Sequence, residues 1–289
     1  MNLSRKQVPK LLDEALQIYG EFPPLLQLEV KPPSQQHQLE LALLETWKLK
    51  EVRVVPTFFE DEQVYAALGK AAAEFFWKLA EAKKQFCVGI GWGRSILAMI
   101  DALMSPQFSE PLKMLKQLTF VALISVPSAH SPLLLGTAPQ SLLGTLMLRF
   151  STKIHPLPFS VSCMAFQNGE PITTMNAIFT GIGIFAKGKL IEAYAHELGL
   201  KIKRSRWLGE MLFQFFDRKG HLLPDQWNGR VQALPLINLQ KMVSEGKPVV
   251  VIAKGKQKAK ALIAANKAKL FNCIIVDRSL AKALLKGGA

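Results

Sequence analysis

The chain has 289 residues, of which 49% are hydrophobic and 20% charged. That length and balance allow a properly buried core and exclude wholesale disorder. The net charge of +14 is unevenly placed: residues 187–289 hold 20 Lys+Arg against 7 Asp+Glu, whereas residues 1–86 hold 11 against 12. The basic third also carries strand and helix patterns, so its lysines read either as a solvated face or as an anion-binding surface.

Residues 7–19 form the first predicted helix, with Val8, Leu11, Leu12, Ala15, Leu16 and Tyr19 at helical spacing and Gly20 to end it. Pro9 is compatible with a helix only in its first turn. Leu26–Val30 reads as extended, and Lys31-Pro32-Pro33-Ser34 as a linker. A helix is expected over Gln36–Trp47, a strand over Glu51–Val55 and a long helix from Asp61 to about Lys84.

From Phe86 onward, short apolar runs alternate with helical patterns. Strands are predicted at Phe86–Ile90, Phe120–Val126, Ala177–Thr180, Val249–Ala253 and Cys273–Val276. Helices are predicted at Ser95–Met104, Gln140–Phe150, Leu190–Leu200, Gln257–Lys267 and Ser279–Leu285. Such alternation implies an α/β domain whose mainly parallel sheet is flanked by helices. One segment breaks the alternation. Glu210–Phe216 is followed by the turn signal Asp217-Arg218-Lys219-Gly220 and then by Arg230-Val231-Gln232-Ala233, which together suggest an inserted β-ribbon.

Cys87, Cys163 and Cys273 are far apart and form no CxxC, so neither a disulfide framework nor a zinc site is expected. The first six residues lead into a polar amphipathic stretch unlike a signal peptide. The apolar stretch from Leu133 to Phe150 is interrupted by Gly136, Pro139, Gln140 and Gly144 and is unsuited to spanning a bilayer. These features predict a cytoplasmic protein with no membrane partner.

Ligands of open α/β sheets sit beyond the carboxyl ends of the strands. Three such junctions stand out. In Gly89-Ile90-Gly91-Trp92-Gly93-Arg94-Ser95 a strand runs into alternating glycines and a helix start. Backbone N–H groups, the helix dipole, Arg94 and Ser95 suit an anion there, although the same glycines also suit a tight turn. Arg94 stands where a dinucleotide fingerprint has its third glycine. Thr180-Gly181-Ile182-Gly183 is a second strand entering glycines, equally a turn or a ligand loop. The third junction, Lys254-Gly255-Lys256-Gln257-Lys258, sets lysines at a helix start, against the macrodipole. An anion between them would remove that conflict, though Lys258 reads equally as exposed.

Enzyme signatures are thin. His37, His130, His155, His196 and His221 form no metal-binding pair, and neither a GxSxG elbow nor a Walker A motif is present. No cofactor, metal site or catalytic residue is assigned.

Gly89–Ile96 resembles the V-G-[IV]-G-W-G-R-[TS]-[LI] signature of SorC-type bacterial transcriptional regulators. Further resemblance lies in Thr180–Gly183, in Leu208–Asp217 with Gly220, in Asn228-Gly229-Arg230-Val231 and in Lys254–Leu262, from about Glu51 to Leu285 overall. It implies an effector domain related in fold to ribose-5-phosphate isomerase and glucosamine-phosphate deaminase, binding a phosphorylated sugar that tunes an oligomer's grip on operator DNA. Carried over, it places Gly91, Trp92, Gly93, Arg94 and Ser95 at the phosphate end. Gly181, Gly183, Arg230 and Lys258 then surround the rest of the ligand. The implied protein is a non-enzymatic homodimer or homotetramer, with residues 34–289 as effector domain.

The departures bear on the ligand. Ser125-Val126-Pro127-Ser128-Ala129-His130 stands in place of a glycine pair, with Ser128 and His130 as side-chain donors. Glu210 replaces the ribbon's usual Asp, Gln214 one of its glycines, Gly229 the Asp before Arg230, and Lys254 a glycine. Residues 1–33 resemble a recognition helix plus linker, with Ser4, Arg5, Gln7 and Lys10 facing DNA. The helices that precede it in the family are missing from this sequence, and Pro9 stands inside it, so weak or no DNA binding is expected. Two other classes compete: a sugar-phosphate isomerase or deaminase with Glu210 as base, and a ligand-free oligomeric scaffold.

Overall fold

A computed structural model describes residues 34–81, 83, 85–105, 107–108, 117–125, 144, 159–162, 175–184, 190–197, 208–224 and 231–287. The chain divides into two compact units, Met1–Ser34 and Gln35–Ala289. The larger unit is built on a seven-stranded sheet. Its strands are β1 (Glu51–Val55), β2 (Gln85–Ile90), β3 (Gln117–Ala122), β5 (Phe159–Ser162), β6 (Ala177–Thr180), β11 (Val249–Ala253) and β12 (Cys273–Asp277). They lie in the order β1-β12-β11-β6-β2-β3-β5, and every pairing among them is parallel.

The strands form because their sequences are apolar and largely β-branched, as burial on both faces requires. Alternation sorts the side chains. Val250 and Ile252 of β11 and Cys273 and Ile275 of β12 join one core, whereas Val249, Val251, Ile274 and Val276 join the other. The first core lies under α2 (Asp61–Ala80) and α3 (Arg94–Leu103). In α3 the buried Ile96, Met99, Ile100 and Leu103 repeat at helical spacing. The two helices approach closely at Gly69, where a Cβ would fall 2.2 Å from the Ala98 carbonyl oxygen. The second core lies under α1 (Gln35–Trp47), α5 (Leu236–Ser244), α6 (Ala259–Lys267) and α7 (Arg278–Gly287), with α4 (Leu190–Glu197) contributing Ile191 and Ala195.

The ribbon differs from its sequence expectation. β8 (Gly209–Met211) and β9 (Gln214–Phe216) form a hairpin within the run expected to be one strand, and β7 (Gly183–Ile184) adds a third strand. The hairpin turn is Leu212-Phe213, both at positive φ (51° and 59°). Bulky residues there are costly, and burial offsets the cost, since both are at most 1% exposed. Asp217–Gly220 does reverse the chain, but it returns through a bridge from Phe216 to Leu222. The expected return strand, β10 (Gln232–Ala233), instead pairs with β4 (Ile124–Ser125) in a separate two-stranded sheet. The long helix ends at Ala80 rather than Lys84, and a 3-10 turn at Lys256–Lys258 precedes α6. The expected elements at 7–19 and 26–30 lie outside the described residues, as does 140–150 apart from Gly144.

Two asparagines tie the amino ends of the strands. Asn272 accepts from the Val249 N–H at 2.9 Å and donates to the Lys247 carbonyl at 2.9 Å, while its own carbonyl accepts from the Lys50 N–H at 2.8 Å. Asn176 accepts from the Cys87 N–H at 2.7 Å. Asn272→Ala leaves the buried Val249 N–H and the part-buried Lys247 carbonyl without their side-chain partner. Equilibrium urea unfolding should show a loss of about 2–4 kcal/mol at unchanged m-value, from roughly 1–3 kcal/mol per orphaned group.

Candidate functional site

The sheet changes direction between β2 and β6. From β2 the chain proceeds through α3 to β3 on one side; from β6 it proceeds to β11 and β12 on the other. At such a switch point the loops leaving adjacent strands diverge and open a crevice at their carboxyl ends. The crevice here holds a cavity of about 340 Å³. Trp92, Gly93, Arg94 and Ser95 line it from the β2 loop, Gly181 to Ile184 from the β6 loop, and Lys254, Gln257 and Lys258 from the β11 loop. Asp61 and Tyr65 enter from the first turns of α2, Ile191 from α4 and Glu210 from β8.

Seven of the sequence-selected residues therefore share one cavity: Trp92, Gly93, Arg94, Ser95, Gly181, Gly183 and Lys258. Gly91 does not line it. Its N–H donates to the Phe179 carbonyl at 2.8 Å, and a Cβ there would fall 2.2 Å from Thr180 Oγ1, so this glycine serves strand packing. Arg230, Ser128, His130, Asn228 and Gly229 lie outside the described residues, as do Ser4, Arg5, Gln7 and Lys10. Sequence reading passed over Asp61 and Tyr65, and it took Lys254 and Gln257 as part of the lysine-rich third junction, with Lys254 also a departure from the family pattern. Asp61 and Tyr65 carry no motif, because a first-turn acid and a tyrosine four residues on are ordinary features of a helix start.

Gly93, at φ 110°, precedes α3 and aims that helix's amino end at the cavity. Unpaired N–H groups of a first turn and the dipole favour an anion there. Arg94 Cζ lies 5.1 Å from the centre of the Tyr65 ring, and Lys254 Nζ lies 5.0 Å from it. Lys254 is also ion-paired with Asp61. Trp92 packs on Phe213 of the hairpin turn with ring centres 4.1 Å apart. That contact fixes both the apolar wall and the buried turn.

Glu210 is 2% exposed. It accepts from the Phe213 N–H at 3.1 Å and is hydrogen-bonded by the Trp92 side chain. Gly183 leaves room for its carboxylate, since a Cβ there would sit 2.1 Å from Oε1. Burial pushes its carboxyl up to about 7, although the Phe213 N–H, Lys258 and Trp92 all favour the charged form. Among the described residues no cluster of three or more His, Cys, Asp or Glu could hold a metal ion.

The sign of the pH effect follows from that shift. Between the ordinary carboxyl value and about 7 the folded chain holds a proton on Glu210 that the unfolded chain has lost. Stability therefore falls as pH rises through this window, by about 3 kcal/mol in all. In Glu210→Gln, denaturant melts from pH 4.5 to 8 should lack this component of the slope.

Comparison with known proteins agrees with the architecture. Residues 31–158 and 166–286 match the model of the domain family described as "putative sugar-binding domain". The erythritol catabolism regulatory protein EryD of Brucella abortus is 24% identical over 263 residues, which cover 86% of this chain and 78% of that protein. The full-length sorbitol operon regulator SorC of Klebsiella pneumoniae superposes with a TM-score of 0.63 at 17% identity, covering 98% of this chain and 90% of its own. A transcriptional regulator from Streptococcus pneumoniae TIGR4 superposes with a TM-score of 0.64 at 17% identity, covering 88% and 98%. No described helix is long and apolar enough to cross a membrane. With its match spanning nearly the whole described unit, the chain belongs to the sugar-binding domain family, the family of the SorC-type effector domains that its glycine motifs resemble.

Proposed function

We propose that the Gln35–Ala289 unit binds a phosphorylated sugar as an effector, and that the chain is a transcriptional regulator rather than an enzyme. The observation that carries this reading is the convergence of the α3 amino end, Arg94, Ser95 and Lys258 on one cleft at the topological switch point. Those groups suit a phosphate, by charge and by donated hydrogen bonds. Trp92, Ile182 and Glu210, which line the same cavity, offer a sugar ring an apolar face and a carboxyl partner for hydroxyls. The volume of about 340 Å³ is at the small end of ligand pockets, which favours a monosaccharide over a dinucleotide. The names of the Brucella and Klebsiella relatives, regulators of erythritol catabolism and of a sorbitol operon, point the same way. In this reading Ser4, Arg5, Gln7 and Lys10 are candidates for operator contact only within a completed helix-turn-helix, and the chain works as a cytoplasmic homodimer or homotetramer.

Glu210 supports a second reading, because a buried carboxyl titrating near 7 in a sugar-sized cleft suits a proton-transfer base. Its carboxylate, however, is already engaged by Phe213 and Trp92, which hold the hairpin. Turnover of ribose 5-phosphate or glucosamine 6-phosphate that disappears in Glu210→Gln would establish the enzyme reading; no turnover removes it.

Thermal melts with sugar phosphates and their parent sugars test the main reading. A ligand at 100 times its Kd adds about 2.7 kcal/mol, or roughly 5–10 °C for a domain of this size. The shift should require the phosphate and vanish in Arg94→Ala and Lys258→Ala. If no phosphorylated sugar moves the melting temperature, the sensor reading fails.

A further inference from the structure

Resting on the proposed phosphate reading of the cleft, we infer that Asp61 and Lys254 form an ion-pair gate, in which the Asp61 carboxylate occupies the Lys254 ammonium and must yield it to the ligand's anionic group.

The placement of both residues is over-determined. β11 ends at Ala253, so Lys254 leaves the sheet directly at the cleft. The next residue, Gly255, is at φ 92°, and its N–H donates to Asp277 Oδ1 at 2.6 Å. Asp277 is 1% exposed and its other oxygen accepts from the Thr57 hydroxyl at 3.2 Å. Thr57 lies in the loop that leads from β1 into α2, whose first residue is Asp61. One buried carboxylate thus anchors both backbone segments that carry the pair.

The side chains then meet over the cavity. Lys254 and Asp61 are ion-paired, with side chains 15% and 62% exposed, and both line the cavity. Lys254 and Arg94 both lie over Tyr65, one turn beyond Asp61, so two cleft cations share one ring. The Lys254 ammonium hydrogen-bonded to Asp61 holds its carboxyl below the usual range, with a smaller contribution from Arg94. Asp61 is therefore an internal anion facing two cations that a phosphate would use. A partly buried cation is held at low desolvation cost while a carboxylate stays with it. Exchange for a dianionic phosphate keeps the cation paired and releases the more exposed partner. The gate makes Asp61 and Lys254 specificity-determining: weakly charged ligands do not displace the carboxylate, and dianionic ones do.

Calorimetric titration of the full chain with inorganic phosphate tests this. Asp61→Asn should bind phosphate roughly two- to fivefold more tightly than wild type, the scale of a solvent-facing ion pair. Lys254→Gln should bind more weakly, and adding Asp61→Asn to Lys254→Gln should restore nothing. Glu62→Gln, one residue along the same exposed turn, controls for bulk charge and should leave affinity unchanged. Equal gains from Asp61→Asn with and without Lys254, or an equal gain in Glu62→Gln, overturn the gate. So does an unchanged affinity in Asp61→Asn while wild type still responds to sugar phosphates, a result that spares the sensor reading. Phosphate binding by Asp61→Asn beside a wild type silent to every sugar phosphate overturns both readings, because a dianionic ligand then fails to displace the Asp61 carboxylate. No phosphate binding by any variant overturns the gate, and the sensor reading then stands or falls on the sugar-phosphate melts.

Discussion

The contact between β2 and β6 is the constraint on which the rest of the site depends. These strands pair in parallel, Ile90 beside Phe179, and beyond that pair the chain leaves toward opposite layers. Close approach of the two strand ends requires residues without side chains. A Cβ on Gly89 would fall 2.8 Å from Leu123 Cδ2 and 2.9 Å from Ile178 Cγ1, and one on Gly91 would meet Thr180. Gly181 is similar, since its Cβ would lie 2.9 Å from the Trp92 carbonyl oxygen. The glycines are thus first a packing solution. Only Gly93, with its positive φ and its place before α3, combines the turn with an open approach to the cleft.

Electrostatics in the cleft follows from that geometry. The switch point brings together the amino end of α3, Arg94, Lys254 and Lys258, and among the described residues the carboxylates lining the cavity are Asp61 and Glu210. Those two acids behave in opposite ways because their solvation differs. Asp61 is exposed and cation-paired, so its charge is favoured; Glu210 is buried, and desolvation outweighs three favourable partners. A neutral Glu210 leaves the cleft more cationic below about pH 7 than a count of carboxylates suggests. Among the described residues of the last third, Lys256, Lys260, Lys267, Lys269, Lys282 and Lys286 are exposed and do not line the cleft.

How far the sequence was legible depended on which forces shaped each segment. β1, β6 and β11 begin and end as expected, because a buried parallel strand must be a short apolar run bounded by polar or glycine residues. The cleft loops were legible for a related reason: glycines between a strand and a helix are rare enough to stand out. The hairpin was not. Its turn carries Leu212 and Phe213 rather than asparagine or glycine, and it is held by tertiary contacts with Glu210 and Trp92 that local chemistry does not announce. Asp61 and Tyr65 were hidden for another reason. They sit in a helix far in sequence from the glycine loops, and only the sheet order brings that helix start to the cleft.

The two ends of the sheet divide stability from binding. At the amino ends, Asn272 and Asn176 convert side chains into extra backbone partners, so the strands are locked where no ligand enters. At the carboxyl ends, backbone groups are left for loops, and the crevice stays open because neighbouring loops diverge. Asp277 is the exception that links the two. It ends β12 at the carboxyl side, yet its oxygens are taken by Gly255, Thr57 and Ser279 rather than turned toward the cavity. A buried carboxylate satisfied by backbone and hydroxyl donors rigidifies what it binds. The segments it fixes are those that carry Lys254 and lead to Asp61. Lys254 is therefore held by a network one layer behind it, while Trp92 is held by apolar contact with Phe213. A ligand touching both Lys254 and Trp92 would meet a polar network at one and an apolar hairpin at the other.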